Sequence, residues 1–156
     1  MPGNTRLAND AWESLLSAHA TLMKRFAAED IWHEVTMREY DVLYTLSKCD
    51  GPVRIGELHR HVLLSQPALS RLVDRLVERG LVERCPDPAD GRGIRLSLTE
   101  PGREIQRRIG RRHARDVARA VSAALTLQEL EQLQTLCQKL TAHSSDRPGG
   151  THHEHQ

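Results

Sequence analysis

The sequence predicts a mainly α-helical fold carrying a small β unit of two or three strands, and three observations predict it. Apolar residues recur at spacings of three and four through most of the chain, the helical period. Between Leu81 and Leu98 that period falls to two, the strand period. Residues that start or stop helices (Thr36, Ser65, Gly80, Thr99 and Thr126) fall where the apolar runs change.

Taken in order, the first helix covers 10–29, with Ala11, Leu15, Ala18, Leu22 and Phe26 on one side and Asp10 as its cap. A second runs from about Arg38 to Lys48. Thr36 caps it with Glu39 as box partner, Tyr40, Leu43, Tyr44 and Leu46 are its apolar side, and Gly51-Pro52 ends it. Val53, Arg54 and Ile55 make a short extended piece. A third helix spans about Gly56–Val62 with Leu58 and Val62 inward, and Leu63-Leu64 form a turn. Ser65 caps the fourth helix, Pro67 sits in its permissive first turn, and Leu69, Leu72, Val73, Leu76 and Val77 form its buried stripe as far as Arg79. Gly80 suits a left-handed terminator.

Leu81–Cys85 and Ile94–Leu98 then read as two strands, with the turn-rich loop 86–93 between them carrying Arg92 between two glycines. Thr99 and Pro101 open a long helix through Ile105, Ile109, Val117 and Val121. Thr126 and Glu129 box the start of a last one carrying Leu127, Leu130, Leu133, Leu136 and Leu140. Helix, short turn, helix and ribbon together make a winged helix-turn-helix with additional N- and C-terminal dimerisation helices. The expected organisation is 1–35 for the N-terminal dimerisation helix, 36–98 for the DNA-binding domain, 99–143 for the C-terminal dimerisation helices and 144–156 for a disordered tail. The terminal helices have apolar faces that packing against a second copy would bury.

Net charge is +1, so bulk charge does not announce a polyanionic partner. Its distribution says more. Residues 1–41 carry four basic and seven acidic side chains, whereas 103–119 carry seven arginines against two acids, so positive charge gathers in the second half. A solvated helix face would account for the same run. The three cysteines, Cys49, Cys85 and Cys137, are far apart, which argues against a disulfide scaffold or zinc knuckle. With no long apolar span and no signal peptide, a cytoplasmic location and no membrane contact are expected.

In a helix-turn-helix the second helix offers its N-terminal end to the major groove, where base pairs are distinguishable. That end is Ser65, Gln66, Pro67 and Ala68, followed by Ser70 and Arg71. Gln66 matches adenine, Arg71 matches guanine or a phosphate, and Pro67 or Ala68 can meet a thymine methyl. Arg75 fits either a phosphate contact or a structural pair with Asp74 that orients the wing. Arg54 is a candidate backbone contact. Arg92, on a narrow loop, suits the minor groove, and Asp90 would pin that loop through a salt bridge to Arg75. The bland reading makes Gln66 and Ser70 ordinary first-turn residues and Arg92 a solvated one.

Three segments together, REYDVLYTL, LLSQPALSRLVDRLVERGLVER and DPADGRGIRLSLTEPG, resemble the MarR family of transcription regulators over about residues 10–142. The last resembles that family's Asp-x-Arg wing signature followed by Leu-Thr-x-x-Gly. The resemblance implies a homodimer on a pseudo-palindromic duplex site, repression of a neighbouring gene or its own operon, and release by a small aromatic or phenolic effector bound between the dimer helices and the winged domain. It assigns wing roles to Asp90 and Arg92 and groove-facing roles to Gln66, Ser70 and Arg71. Gly93 departs from the pattern, where a bulkier residue is common, and is expected to loosen the wing.

Trp12, His19, Arg38, Tyr40 and His113 are candidates for an effector pocket, since rings, imidazole and a cation suit an aromatic acid. Trp12 also resembles the urate-responsive branch. The alternative makes Trp12 and Tyr40 core or seam residues. A redox-responsive regulator is a further alternative, but the redox branch carries its cysteine near the first helix and none precedes Cys49. A metal-responsive one would draw on His152, His153, Glu154 and His155 in the tail. No cofactor and no structural metal are expected. An enzyme is disfavoured because no phosphate loop, HExxH or nucleophile elbow occurs. A winged helix that binds only protein is the remaining rival.

Overall fold

The computed structural model describes residues 2–145, with side chains described over 3–144. The His-rich cluster 152–155 lies outside the described residues. In chain order the elements are α1 Pro2–Ala27, α2 Met37–Ser47, β1 Val53–Arg54, α3 Ile55–His59, α4 Gln66–Glu78, β2 Val82–Asp87, β3 Asp90–Leu98, α5 Glu100–Ser122 and α6 Leu127–Ser145. The chain divides into two compact units between Asp116 and Val117, within α5.

In the first unit, one face of α4 carries the centre of the core. Leu69, Leu72, Val73 and Leu76 are buried there with Val42 and Leu43 of α2, Leu58 of α3, Leu96 and Leu98 of β3, and Ile109 of α5. Burying side chains of this size stabilises by about 1.5–3 kcal/mol each before chain entropy is counted. The small helices are therefore held by a shared interior rather than by their own propensity. The three strands run in the order β1-β3-β2, both pairings antiparallel, with Val53 and Arg84 on either side of Leu96.

Local capping sets the element boundaries. The Thr36 hydroxyl accepts from the Glu39 amide while the Glu39 carboxylate accepts from the Thr36 amide at 2.9 Å, the reciprocal box expected of this pair. The Ser65 hydroxyl accepts from the Ala68 amide, with Pro67 in the first turn of α4. Gly80 takes φ +70°, where a side chain would be strained.

Thr99 joins the end of α4 to the start of α5. Its hydroxyl donates to the Gly80 carbonyl at 2.6 Å and accepts from the Gly102 amide at 3.1 Å. Gly102 lies so close to the chain after α4 that a Cβ there would stand 2.0 Å from the Leu81 carbonyl oxygen. The Leu-Thr-x-x-Gly run thus has a steric cause: the threonine caps the helix and the glycine lets it approach.

Three boundaries differ from expectation. Helix α1 starts at Pro2, not near residue 10, so Asp10 is not its cap. Asp10 lies inside the helix, 3.9 Å from Arg6 as an exposed i,i+4 pair. Helix α3 ends at His59, so Val62 belongs to the turn, where it is half-buried. The hairpin is longer than its turn-forming residues suggested. Strand β2 continues to Asp87 and β3 begins at Asp90, leaving Pro88-Ala89 as the turn, with an irregularity in register between Pro86 and Asp87. The Asp87 carboxylate accepts from the Ala89 amide at 3.0 Å and so shapes the reversal itself.

The second unit holds the end of α5 and all of α6. Thr126 and Glu129 form the expected box, each accepting from the other's amide, which draws the Glu129 carboxyl below its ordinary range. Leu127, Leu133, Leu136 and Leu140 remain exposed along α6. In the first unit Leu7, Trp12 and Leu16 are likewise exposed along α1.

Candidate nucleic-acid interface and effector groove

The first turn of α4 is open to solvent. Ser65, Gln66, Pro67 and Arg71 are exposed, Ala68 and Ser70 are half-buried, and the Leu69 side chain next to them is fully buried. The amphipathic spacing aims the leucines inward and leaves the polar face outward. The approach to this helix is tied by His59, whose ring Nε2 lies 2.8 Å from the Leu64 carbonyl oxygen across the turn. On the flank of α4 the Asp74 carboxylate pairs with Arg84 of β2. Asp74, and not Arg75, is therefore the α4 side chain that ties the helix to the wing strand.

Asp90 does not pair with Arg75. Its carboxylate accepts from the Arg92 amide at 3.1 Å, a local turn contact, while Arg75 lies 3.9 Å from Glu39. The wing is pinned by Asp87 instead, a residue not singled out from sequence. The Asp87 side chain is fully buried, with Arg54 Nε at 2.7 Å and Arg95 Nε at 3.1 Å. Arg54 and Arg95 face each other across β1 and β3, an arrangement of like charges that costs stability unless an anion lies between them. The Ala89 amide, then Arg54 and Arg95, hold the Asp87 carboxyl down at about 2, against the effect of its burial.

Gly93 is part of the same packing. A Cβ there would lie 3.0 Å from the Asp87 Cβ and 3.3 Å from the Asp90 carbonyl oxygen, so a bulkier residue would need the hairpin to give by a few tenths of an ångström. Arg54, expected at the DNA backbone, is half-exposed but committed to Asp87. Arg92 is exposed, two residues beyond the start of β3.

A groove of about 750 Å³ runs along α4 between the end of α1 and the start of α2. Lys24, Arg38, Arg71 and Arg75 bring positive charge to it, and Met23, Met37, Leu64 and Leu72 give it apolar walls. Its size falls within the roughly 300–1,000 Å³ range of small-molecule sites. Ala68 and Arg71 belong both to this groove and to the opening turns of α4.

Residues 33–93, from the end of the α1–α2 connection to the wing, match the sequence profile of the MarR family. The multiple antibiotic resistance protein MarR of Salmonella typhimurium (strain LT2) is 31% identical over 107 residues, 69% of this chain and 74% of that protein. This chain belongs to the MarR family. AbsC, a MarR family transcriptional regulator from Streptomyces coelicolor, superposes with a TM-score of 0.75 at 26% identity, covering 89% of this chain and 95% of its own. A single-site variant of Escherichia coli MarR, solved in complex with operator DNA, superposes at 0.69 with 28% identity, covering 82% and 91%. As a MarR-family protein, the chain is a DNA-binding transcription regulator with a winged helix-turn-helix fold.

The MarR-family chain does not gather the five residues expected at an effector pocket. Arg38 alone lines the groove. Tyr40 and His113 lie in an aromatic cluster with Phe26 and Trp32, ring centroids between 5.2 and 5.6 Å apart, and His113 Nδ1 is 3.3 Å from a Glu29 carboxylate oxygen. Burial pushes the Tyr40 phenol and the Asp41 carboxyl above their ordinary ranges, as interior groups would show. Trp12 and His19 are exposed on α1. Sequence spacing named Arg38 but not its companions, because Lys24, Arg71 and Arg75 converge only once α1 and α4 are packed.

Burial also raises the Cys49 thiol, whose Sγ lies 3.3 Å from the Thr45 carbonyl oxygen, which opposes thiolate chemistry there. Among the described residues no group of three or more His, Cys, Asp or Glu could hold a metal ion. Among them, too, no helix is long and apolar enough to cross a membrane.

Proposed function

We propose that this protein is a homodimeric repressor that reads a pseudo-palindromic duplex with α4 and is released by a small aromatic or phenolic acid in the groove behind that helix. The observation that carries the reading is the sharing of Ala68 and Arg71 between the groove and the first turns of α4. An aromatic ring fits the methionine and leucine walls, and a carboxylate meets the arginines. A ligand seated there presses on the segment that would otherwise meet base edges.

In this reading Gln66, Ser70 and Arg71 address the major groove, and the Ser65 cap region sits against a phosphate. Arg92 enters the minor groove from the hairpin tip. Asp90 shapes that tip and Arg54 supports its stem. Arg75 belongs to the effector groove rather than to the DNA face. The exposed apolar residues of α1 and those of α6 are covered by the second copy. The Arg71 and Arg92 cations favour a nucleic-acid partner over a protein one.

The test is selection of bound duplexes from a random pool, followed by anisotropy titrations with benzoates and hydroxybenzoates. Two inverted half-sites about one helical turn apart and release by millimolar or lower aromatic acid are expected. Asymmetric sites would overturn the dimer reading. Complexes indifferent to every aromatic acid would overturn the effector reading.

A further inference from the structure

We propose that Glu39 competes with the effector for Arg75 and thereby sets the groove's affinity for anions; this rests on the effector reading above. Glu39 is the N3 residue of α2, and its side chain is only 8% exposed. One carboxylate oxygen accepts from the Thr36 amide at 2.9 Å and from Arg79 Nη1 at 3.3 Å. The other lies 3.9 Å from Arg75 Nε, beyond hydrogen-bond distance.

The two arginines are therefore held unequally. Arg79 donates to Glu39 and also to the Glu34 carbonyl, so it is fixed on two sides. Arg75 is more exposed, held by charge alone, and lines the groove. A carboxylate in the groove offers it paired, charge-assisted hydrogen bonds that Glu39 does not. When Arg75 turns to the ligand, Glu39 keeps the Thr36 amide and Arg79, so no buried charge is left bare. The cost of the turn is the lost attraction of Glu39, which also repels any anion nearby. A neutral ligand takes at most a weaker, single hydrogen bond from Arg75 and is not repelled by Glu39, so it responds much less to both. Glu39 thus acts as a positioning residue that discriminates by ligand charge without touching the ligand.

Glu39→Gln isolates the charge, because glutamine serves equally at the third position of a capping box. Calorimetric titrations with benzoate and benzamide, on the full chain, read the effect. Glu39→Gln is expected to tighten benzoate by about threefold to tenfold and to move benzamide by less than about twofold. In an Arg75→Gln background the same substitution should no longer move benzoate. Three outcomes overturn the inference while leaving the effector reading intact: unchanged benzoate affinity in Glu39→Gln, equal tightening of benzamide, or a gain that survives in Arg75→Gln. Failure of the unmodified protein to bind benzoate or any hydroxybenzoate overturns the effector reading, and this inference with it.

Discussion

Replacing Gly102 by alanine should destabilise the first compact unit far more than one methyl group ordinarily does. The added carbon would stand 2.0 Å from the Leu81 carbonyl oxygen. Ordinary contact needs about 3.5 Å, so the start of α5 and the chain leaving α4 would have to part by roughly 1.5 Å. The partner atom is backbone, fixed on one side by the left-handed Gly80 and on the other by the start of β2, so it cannot swing aside. The same displacement stretches the Thr99 bridge to Gly80.

Overpacking of this kind costs about 1–3 kcal/mol or more, and alanine's better helix propensity returns at most about 1 kcal/mol. A net loss of about 2 kcal/mol corresponds to a fall in Tm of roughly 4–8 °C for a chain of this size. Urea unfolding and thermal melts measure it. Gly56→Ala is the control: a Cβ there would meet nothing within 4 Å, so no loss of stability is expected. Equal stability of the Gly102→Ala variant and the unmodified chain would refute the steric account of the Leu-Thr-x-x-Gly run.

Other outcomes follow from the interface and its anchor. Arg71→Ala should cost about 1–3 kcal/mol on a selected site and less on random duplex in gel-shift titrations, and equal losses would make Arg71 a phosphate clamp. Arg92→Ala should reduce the slope of log affinity against log salt by about one, and an unchanged slope removes the hairpin tip from the interface. Asp87 has a folded-state carboxyl lowered from 3.8 to about 2, so its contribution to stability is complete above the unfolded value and is lost as pH falls from about 4 towards 2. Urea unfolding between pH 5 and 2 should therefore show a flatter pH dependence in Asp87→Asn, and identical slopes would sink this assignment.

The features legible in the sequence are those decided within a few residues. Thr36 with Glu39, Ser65 before Pro67, Gly80 after the α4 stripe, and Thr126 with Glu129 all announce themselves, because a cap needs only its own helix. The polar first turns of α1 hid its start at Pro2, since no apolar period marks them. Pro86 and Asp87 read as loop, although pairing with β3 draws both into a strand. Asp87 could not be found as an anchor because Arg54 is 33 residues away and either arginine alone looks like a DNA contact. Opposite charge suggests pairing Asp90 with Arg75, yet Arg75 lies beside Glu39 and Asp90 accepts from the backbone of its own turn. The exposure of Gln66 and Arg71 is legible because the leucine stripe fixes which side of α4 faces in.

The anchor around Asp87 also divides the hairpin by how much substitution each part can absorb. Its stem is locked by residues drawn from three separate stretches of chain, and a change in any one leaves charges stranded. The tip from Asp90 to Arg92 carries no such debt, since its one side-chain bond is to its own backbone. Substitutions at the tip are therefore expected to leave the hairpin's fold intact, whereas substitutions in the stem are expected to open it.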